Sequence, residues 1–235
     1  MTRRRWIADE VSENCAALTG ANAAHLARVL RARVGQQFDI ACGDRLRLGT
    51  IASISQDRVE FELGETLAAP SPLNVTLLLA IFKFDRLEWA IEKCTELGAS
   101  RIVPVIARRT EQHLAAAAAK RTERWRRIAH EASQQSRRLS APTIDDPMKL
   151  KQALAIEAPT RLLLNETEQS VTLRDALAEG SEPVALAVGP EGGWTSDEIE
   201  LFRSSGWQGV TLGSTILRAE TAAVASLAAV AALLD

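Results

Sequence analysis

The 235-residue chain has few of the residues that build disulfide frameworks and metal sites. Its three cysteines and three histidines lie far apart in the sequence, and no C-x-x-C pair occurs. Disulfide-rich and zinc-binding chains instead carry these residues at short, regular spacings. We therefore expect neither a disulfide framework nor a metal cofactor.

Long apolar runs are also lacking. The longest one, residues 222–234, contains a serine and spans 13 residues, which is too short to cross a bilayer. The basic N-terminal residues are followed by Asp9, Glu10 and Glu13 instead of the apolar core of a secretory signal. We therefore expect a cytoplasmic protein.

Two common glycine-rich nucleotide-binding patterns are absent. The chain contains neither G-x-G-x-x-G nor G-x-x-x-x-G-K-[ST]. The first marks a Rossmann dinucleotide site and the second a P-loop. The sequence therefore argues against a nucleotide-dependent oxidoreductase.

Charge is distributed unevenly along the chain, although the net charge is only −2. Residues 1–138 hold 22 Lys and Arg against 16 Asp and Glu, whereas residues 139–235 hold 6 against 14. Seven of the basic residues fall within residues 120–138. A basic N-terminal part of the chain can bind nucleic-acid phosphates. The alternative is that the cluster is simply the solvated face of a helix.

The first 68 residues predict a small β-rich barrel. One helix is expected at residues 23–34, and strands are expected at residues 37–40, 46–53 and 59–63. Residues 69–74 contain Pro70 and Pro72 and are the best candidate for an interdomain linker. The predicted boundaries are thus a domain at 1–68, a linker at 69–74 and a second domain at 75–235.

The second domain alternates between strand and helix patterns. Strands are expected at residues 75–82, 101–106, 161–164, 184–188 and 209–212. Helices are expected from a cap at Asp85 to Gly98, and at residues 115–135, 173–178, 196–205 and 219–234. Such alternation predicts an α/β domain with a parallel sheet and helices on both faces.

Two loops at consecutive strand ends carry unusual residues. Residues 189–194 (GPEGGW) contain three glycines, which let the backbone approach a ligand closely, and they precede an acidic helix start with a capping-box pattern at Thr195 and Glu198. Residues 213–221 bring Arg218 and Glu220 to the start of an apolar helix. Each loop alone is consistent with a purely structural turn. Together they predict a shared pocket for a cationic or uncharged ligand.

The last helix is rich in Ala, Val and Leu on every side, which predicts that it is buried all round. A symmetric dimer interface would bury it in this way. An internal core helix is the alternative.

Two motifs in this region closely resemble the RsmE family, enzymes of the SPOUT class that form N3-methyluridine in 16S ribosomal RNA. They are residues 189–198 (GPEGGWTSDE) and residues 212–222 (LGSTILRAETA). The resemblance continues through residues 84–98 and 131–136 and reaches the N-terminal region. It therefore covers nearly the whole chain.

The resemblance implies a PUA-like β-barrel followed by a knotted SPOUT methyltransferase domain that binds S-adenosylmethionine and forms a homodimer. The implied cofactor-binding residues lie in three loops: Leu164, Asn165, Glu166, Gly189, Pro190, Glu191, Gly192, Gly193, Leu212, Gly213, Ser214, Ile216, Leu217, Arg218 and Thr221. The implied substrate is 16S ribosomal RNA in the small subunit, and no metal or membrane takes part.

The implied chemistry gives roles to Arg218 and Glu220. Arg218 would stabilise negative charge on the uracil carbonyls, while Glu220 or Glu191 would accept the N3 proton, a choice that stays open. Basic residues would grip RNA phosphates: Arg3, Arg4, Arg5, Arg28, Arg31, Arg33, Lys120, Arg124, Arg127, Arg137 and Arg138. The alternatives are a SPOUT 2′-O-ribose methyltransferase and an RNA-binding module without activity.

Overall fold

The computed structural model describes residues 4–69, 72–168, 170–178 and 182–234. The chain divides into two compact units, residues 1–71 with 133–141 and residues 72–132 with 142–235. The chain first passes between them at residues 71 and 72, within the predicted linker, whose residues 70 and 71 lie outside the described residues.

Residues 133–141 belong to the first unit, whereas the sequence pattern assigned them to the second. The side chain of Gln134 ties this segment to the backbone of the first unit. The Oε1 atom of Gln134 accepts a hydrogen bond from the backbone N–H of Ile7 at 2.9 Å, and its Nε2 donates to the carbonyl of Ile7 at 3.2 Å. A local sequence pattern gives no sign of a contact over 127 residues.

The first unit is built on a six-stranded sheet in the order β1-β4-β5-β6-β3-β2. Strand β1 is parallel to β4, and the other pairs are antiparallel. Its buried core includes Leu18, Ile40 and Phe61. The three predicted strands are confirmed, and three more are present. The strands are β1 (Arg5–Ile7), β2 (Glu10–Val11), β3 (Cys15–Thr19), β4 (Gln37–Cys42), β5 (Arg45–Ile54) and β6 (Arg58–Leu67).

The single helix expected at residues 23–34 was wrong in its extent. Helix α1 (Gly20–Ala24) is followed by a π-helix at His25–Val29, and the helical segment then stops. Arg31 has a φ of 50°, in the left-handed region, so a right-handed helix cannot continue through it.

The second unit contains a seven-stranded sheet in which every pair is parallel, as predicted. Its order is β10-β8-β7-β12-β11-β13, with β9 also pairing with β8. The strands are β7 (Val75–Ala80), β8 (Arg101–Ile106), β9 (Thr143–Ile144), β10 (Met148–Lys149), β11 (Thr160–Leu164), β12 (Val184–Val188) and β13 (Gln208–Val210).

Helices cover both faces of this sheet, because each buried strand supplies apolar side chains alternately to two cores. Leu77 and Leu79 of β7 belong to one core, and Leu78 and Ala80 belong to the other. The helices are α2 (Phe84–Glu96), α3 (Gln112–Ala117), a 3-10 turn (Ala118–Arg121), α4 (Thr122–Gln135), α5 (Leu150–Ala153), α6 (Leu173–Ala178), α7 (Ser196–Ser204) and α8 (Ala219–Leu234).

Two helix predictions in this unit need correction. The helix expected at residues 115–135 is interrupted by the tighter 3-10 turn, and the alanine run in this region carries no side chain that would mark the break. Asp85 is not the N-cap of α2, because the helix already begins at Phe84 and Lys83 occupies the cap position.

Pro104 lies inside β8 although it cannot donate to a sheet ladder. The neighbouring edge explains how it is tolerated. Strand β9 pairs with Arg101 and Ile102, and β10 pairs with Val105 and Ile106, so Pro104 faces the interval between the two short strands.

Helix α8 is fully buried along one face of the single chain, so the predicted burial all round would require a second chain. Ala223, Leu227 and Val230 lie in the core, whereas Ala232 and Leu233 are exposed. No helix among the described residues is long and apolar enough to span a membrane.

Candidate active site

A cleft opens at the carboxyl ends of β12, β11 and β13, which are neighbours in the sheet. It encloses about 930 Å³, including solvent at its mouth. It is lined by residues 164–167, 188–191, 193–194, 199, 210–217, 219 and 222.

The loop after β11 is shaped by Asn165. Its side-chain oxygen accepts hydrogen bonds from the backbone N–H and the hydroxyl of Thr167 at 3.1 and 2.9 Å. This Asx-type turn bends the chain immediately after the strand. It brings Glu166 against the next loop, where a Cβ placed on Gly193 would lie 3.1 Å from the carboxylate of Glu166.

The loop after β12 is a tight turn in which the N–H of Gly193 donates to the carbonyl of Pro190 at 2.8 Å. Gly193 has a φ of 70°, a conformation that favours glycine. Gly189 packs on the indole of the buried Trp194, where a Cβ would come within 3.0 Å of Nε1. The glycines therefore allow the close packing of this loop.

Arg109, from the loop after β8, holds this turn from outside the cleft lining. Its Nη1 donates to the carbonyl oxygens of Gly192 and Trp194. Sequence reasoning missed Arg109, because it lies 83 residues before Gly192 and no local spacing links the two.

Helix α7 begins directly after the glycine-rich turn with the predicted capping box. The hydroxyl of Thr195 accepts from the N–H of Glu198, and the carboxylate of Glu198 accepts from the N–H of Thr195. Glu198 is buried and also accepts from the N–H of Arg108 at 2.7 Å. One carboxylate therefore fixes two loops next to the cleft.

The loop after β13 forms the open side of the cleft. Gly213 has a φ of 127°, and a Cβ on it would meet no atom within 4 Å. Thr211 steadies the turn, since its hydroxyl contacts both the N–H and the carbonyl of Gly213. Ile216 is 83% exposed, so this loop presents an apolar side chain to solvent beside the cleft.

The cleft lining is apolar and acidic. Among the described residues that line the cleft, the charged side chains are those of Glu166 and Glu191, and none is Lys or Arg. Apolar side chains include Leu164, Val188 and Leu217. This composition suits an aromatic, cationic ligand and opposes a phosphate-bearing one. The donor set fits the adenine ring and sulfonium charge of S-adenosylmethionine.

The predicted catalytic pair lies at the start of α8. Arg218 is exposed, between the lining residues Leu217 and Ala219. Glu220 is buried, with its Oε1 atom 3.7 Å from the Nε of Arg86. The same guanidinium donates from Nη1 to Oε1 of Glu191 at 2.8 Å. Arg86 was not among the predicted site residues.

The structure brings most of the predicted cofactor residues together. Those that line the cleft are Leu164, Asn165, Glu166, Gly189, Pro190, Glu191, Gly193, Leu212, Gly213, Ser214, Ile216 and Leu217. Gly192, Arg218 and Thr221 are adjacent in the chain but do not line it. Trp194, Ile199 and Ala222 line the cleft without having been predicted.

The predicted RNA-binding residues are mostly exposed. In the first unit these are Arg4, Arg28, Arg31, Arg33 and Arg137, while Arg5 and Arg138 are half-buried, and burial lowers the pKa of the Arg138 guanidinium. In the second unit Lys120, Arg124 and Arg127 are exposed. Arg3 lies outside the described residues. The described part of the chain gathers no group of three potential metal ligands.

Comparison with protein families matches residues 69–231 to an RNA methyltransferase domain and residues 18–64 to an RNA methyltransferase PUA domain. A protein of Synechocystis named ribosomal RNA small subunit methyltransferase E is 36% identical over 97% of this chain and 76% of its own length. The protein of that name from Bacillus subtilis is 33% identical over 91% of this chain and 88% of its own length. The chain belongs to the RsmE family.

Solved structures agree with this membership. The RsmE protein of Neisseria gonorrhoeae, crystallised with S-adenosylmethionine, is 31% identical to this chain, with a TM-score of 0.86 and 98% of each chain covered. A Legionella pneumophila methyltransferase, also bound to that cofactor, is 28% identical with a TM-score of 0.84, covering 99% and 98%. The fold is therefore the RsmE fold, with a PUA-like sheet preceding a SPOUT methyltransferase domain.

Proposed function

We propose that this chain transfers a methyl group from S-adenosylmethionine to the N3 atom of a uridine in small-subunit ribosomal RNA. The observation that carries the proposal is the cleft at the ends of β11, β12 and β13, with an apolar and acidic lining. Membership of the RsmE family supports the same reaction. The corresponding location is the cytoplasm, where the ribosomal RNA substrate would be found.

The cleft residues bind and orient the cofactor. Bound S-adenosylmethionine supplies a methyl group already activated by a sulfonium. Gly213 leaves room for the ligand, the carboxylates of Glu166 and Glu191 complement its positive charge, and Val188 and Leu217 exclude water. Because the methyl group needs no further activation, the main task of the protein is to hold donor and acceptor in line.

Arg218 would act on the RNA base. Its exposed guanidinium at the start of α8 is suited to stabilise negative charge that spreads onto the uracil carbonyls when N3 loses its proton. Glu191 and Glu220 remain the two candidates to accept that proton. Because N3 lies on the Watson–Crick edge, the uridine must be unpaired or flipped out to react.

The basic side chains of each unit would supply affinity for the RNA backbone. Arg28, Arg31 and Arg33 project from the helical segment of the first unit and the turn after it, and Lys120 and Arg127 are exposed in the second. Contacts of this kind carry little sequence information and weaken steeply with salt.

We infer that the chain works as a homodimer through the exposed face of α8. This face consists mainly of small side chains with Leu233, which is 46% exposed, and small residues let a second helix approach closely. Sedimentation of the wild-type chain and a Leu233→Asp variant tests this. We expect a dimer for the first and a weakened dimer for the second; a monomeric wild type would contradict the inference.

The reaction is tested with methyl-labelled S-adenosylmethionine and small ribosomal subunits that lack the modification. After transfer, the RNA is digested and the labelled nucleoside is identified by chromatography and mass spectrometry. We expect the label in N3-methyluridine. Label in a ribose-methylated nucleoside would replace the proposed reaction with the 2′-O alternative, and absence of transfer despite cofactor binding would argue against this RNA as the substrate.

A further inference from the structure

The Arg86 guanidinium lies between two carboxylates that come from different parts of the site. Nη1 of Arg86 donates to Oε1 of Glu191 at 2.8 Å, and Nε is 3.7 Å from Oε1 of Glu220. Glu191 lines the cofactor cleft, and Glu220 lies in the first turn of α8, two residues after Arg218. Arg86 therefore connects the cofactor loop to the turn that would face the RNA base.

Glu220 is buried and depends on Arg86 for a compensating charge. Its side chain is 12% exposed, and its second oxygen, Oε2, has no hydrogen-bond partner among the described residues. A buried carboxylate without a nearby cation is strongly unfavourable. Within the described part of the chain, Arg86 is the cation that forms an ion pair with Glu220.

The position of Arg86 has no favourable local explanation. It lies in the first turn of α2, where the positive end of the helix dipole disfavours a cation. Glu220, in the first turn of α8, is favoured by its own helix. The two carboxylates therefore compensate for the unfavourable position of the Arg86 cation at the start of α2.

The Arg86 side chain is also suited to a fixed geometry. A guanidinium is planar and presents several N–H donors in a rigid fork, so it can contact two carboxylates at once. The Glu191 side chain is 35% exposed and belongs to a turn rather than to a helix or strand. Without Arg86, that turn would lose its link to α8.

We propose that Arg86 is a positioning residue for methyl transfer, which holds the Glu191 loop and the Arg218–Glu220 turn in a fixed relation to each other. This inference rests on the proposed function, since it concerns the alignment of the cofactor with the reacting base. Misplacement of reacting groups by about 1 Å lowers rates by up to about 100-fold. The expected effect is therefore on kcat more than on the KM for S-adenosylmethionine.

The test compares Arg86→Gln with Arg101→Gln as a matched control. Arg101 pairs with Asp145 at the opposite, amino-terminal end of β8, and the side-chain exposures of the two pairs are similar, 33% and 12% for Arg86–Glu220 against 40% and 12% for Arg101–Asp145. We expect kcat of Arg86→Gln to fall about 10- to 100-fold, while Arg101→Gln retains wild-type kcat. Equal kcat values in the two variants would overturn the proposal.

A lysine variant separates positioning from general stability. In Arg86→Lys the ammonium can pair with one carboxylate but cannot fork between two, so we expect partial recovery of kcat over Arg86→Gln. In Arg86→Gln/Glu220→Gln the buried unpaired charge is also removed, so we expect a higher melting temperature than in Arg86→Gln. If kcat does not recover in Arg86→Lys and the melting temperature does not rise in the double variant, Arg86 does not act through the two carboxylates.

Hydrogen exchange measures the connection without any RNA. In Arg86→Gln, but not in Arg101→Gln, we expect faster amide exchange in both residues 189–194 and residues 219–222. If the wild-type chain does not methylate RNA, the proposed function is wrong. The exchange measurement still tests whether Arg86 holds the two segments together. Unchanged exchange in both segments would overturn the positioning role independently of activity.

Discussion

Arg109 and Gly192 are joined by a hydrogen bond from the guanidinium Nη1 to the glycine carbonyl, and this contact fixes the back of the glycine-rich turn after β12. A Cβ on Gly192 would lie 3.2 Å from Cδ of Arg109, so the two residues are in close packing contact as well. The loop is therefore held in shape before any ligand binds.

Replacing Arg109 with Met should weaken cofactor binding. The variant keeps much of the side-chain packing but loses the charged donor to the loop carbonyls, a contact worth about 1.5–3 kcal/mol. Because an unheld loop spends less time in the binding shape, we expect the Kd for S-adenosylmethionine to rise about tenfold. Calorimetric titration measures this, and an unchanged Kd would show that the loop holds its shape without Arg109.

Gly213→Ala should reduce ligand binding in the cleft as well as the stability of the fold. The variant forces an alanine to a φ of 127°, outside the left-handed helical region, at a cost above about 1–2 kcal/mol, and it places a methyl group at the open side of the cleft. Gly43→Ala is the control, since Gly43 has a φ of 68°, has no neighbouring atom within 4 Å of a new Cβ, and lies in the β4–β5 turn. We expect both variants to lose stability, Gly213→Ala the more, with reduced affinity for S-adenosylmethionine in Gly213→Ala alone. Equal affinities would argue against this loop as part of the site.

Glu198→Ala should reduce the free energy of unfolding by about 2 kcal/mol, because it removes the capping box and leaves the Arg108 N–H without its acceptor. Glu200→Ala is the control, because Glu200 pairs with Arg203 at the surface and should cost under about 0.5 kcal/mol. Urea unfolding of both variants measures the difference. If the free energy of unfolding falls as little in Glu198→Ala as in Glu200→Ala, water replaces the buried carboxylate.

Cys94 should lower stability at alkaline pH. Burial raises the pKa of its thiol to about 12, whereas an unfolded cysteine has a pKa of about 8.5. Between these values the unfolded state has released the proton and the native state has not, so the free energy of unfolding falls as pH rises, by about 1.4 kcal/mol per pH unit. The lysines and Cys42, whose pKa is also raised by burial, titrate in the same range, so the Cys94→Ala variant is needed to isolate the contribution of Cys94. We expect a steeper decline for wild type than for Cys94→Ala in unfolding measured from pH 8 to 11. Parallel curves would contradict the burial argument.

Local patterns predicted much of the second unit. The bounds of α6 and α8 agree with the expected residues, and the Thr195–Glu198 capping box is present, because helix periodicity and end signals are local properties. The two loops singled out by their residues, after β12 and β13, do meet at the carboxyl edge of the parallel sheet, where the loop after β11, implied by the family resemblance, joins them.

The features that sequence reasoning missed depend on contacts between distant segments. Arg86 reaches Glu191 across 105 residues and Arg109 reaches Gly192 across 83, and nothing in the spacing of a lone arginine reveals its partner. The π-helix before Arg31 was missed because its composition resembles that of an ordinary helix.

Hydrogen exchange with and without S-adenosylmethionine tests most directly whether this ligand occupies the cleft formed by the loops after β11, β12 and β13. We predict slower amide exchange concentrated in residues 164–167, 189–194 and 211–217. A ligand that binds without slowing exchange in these loops would contradict the assignment of the site.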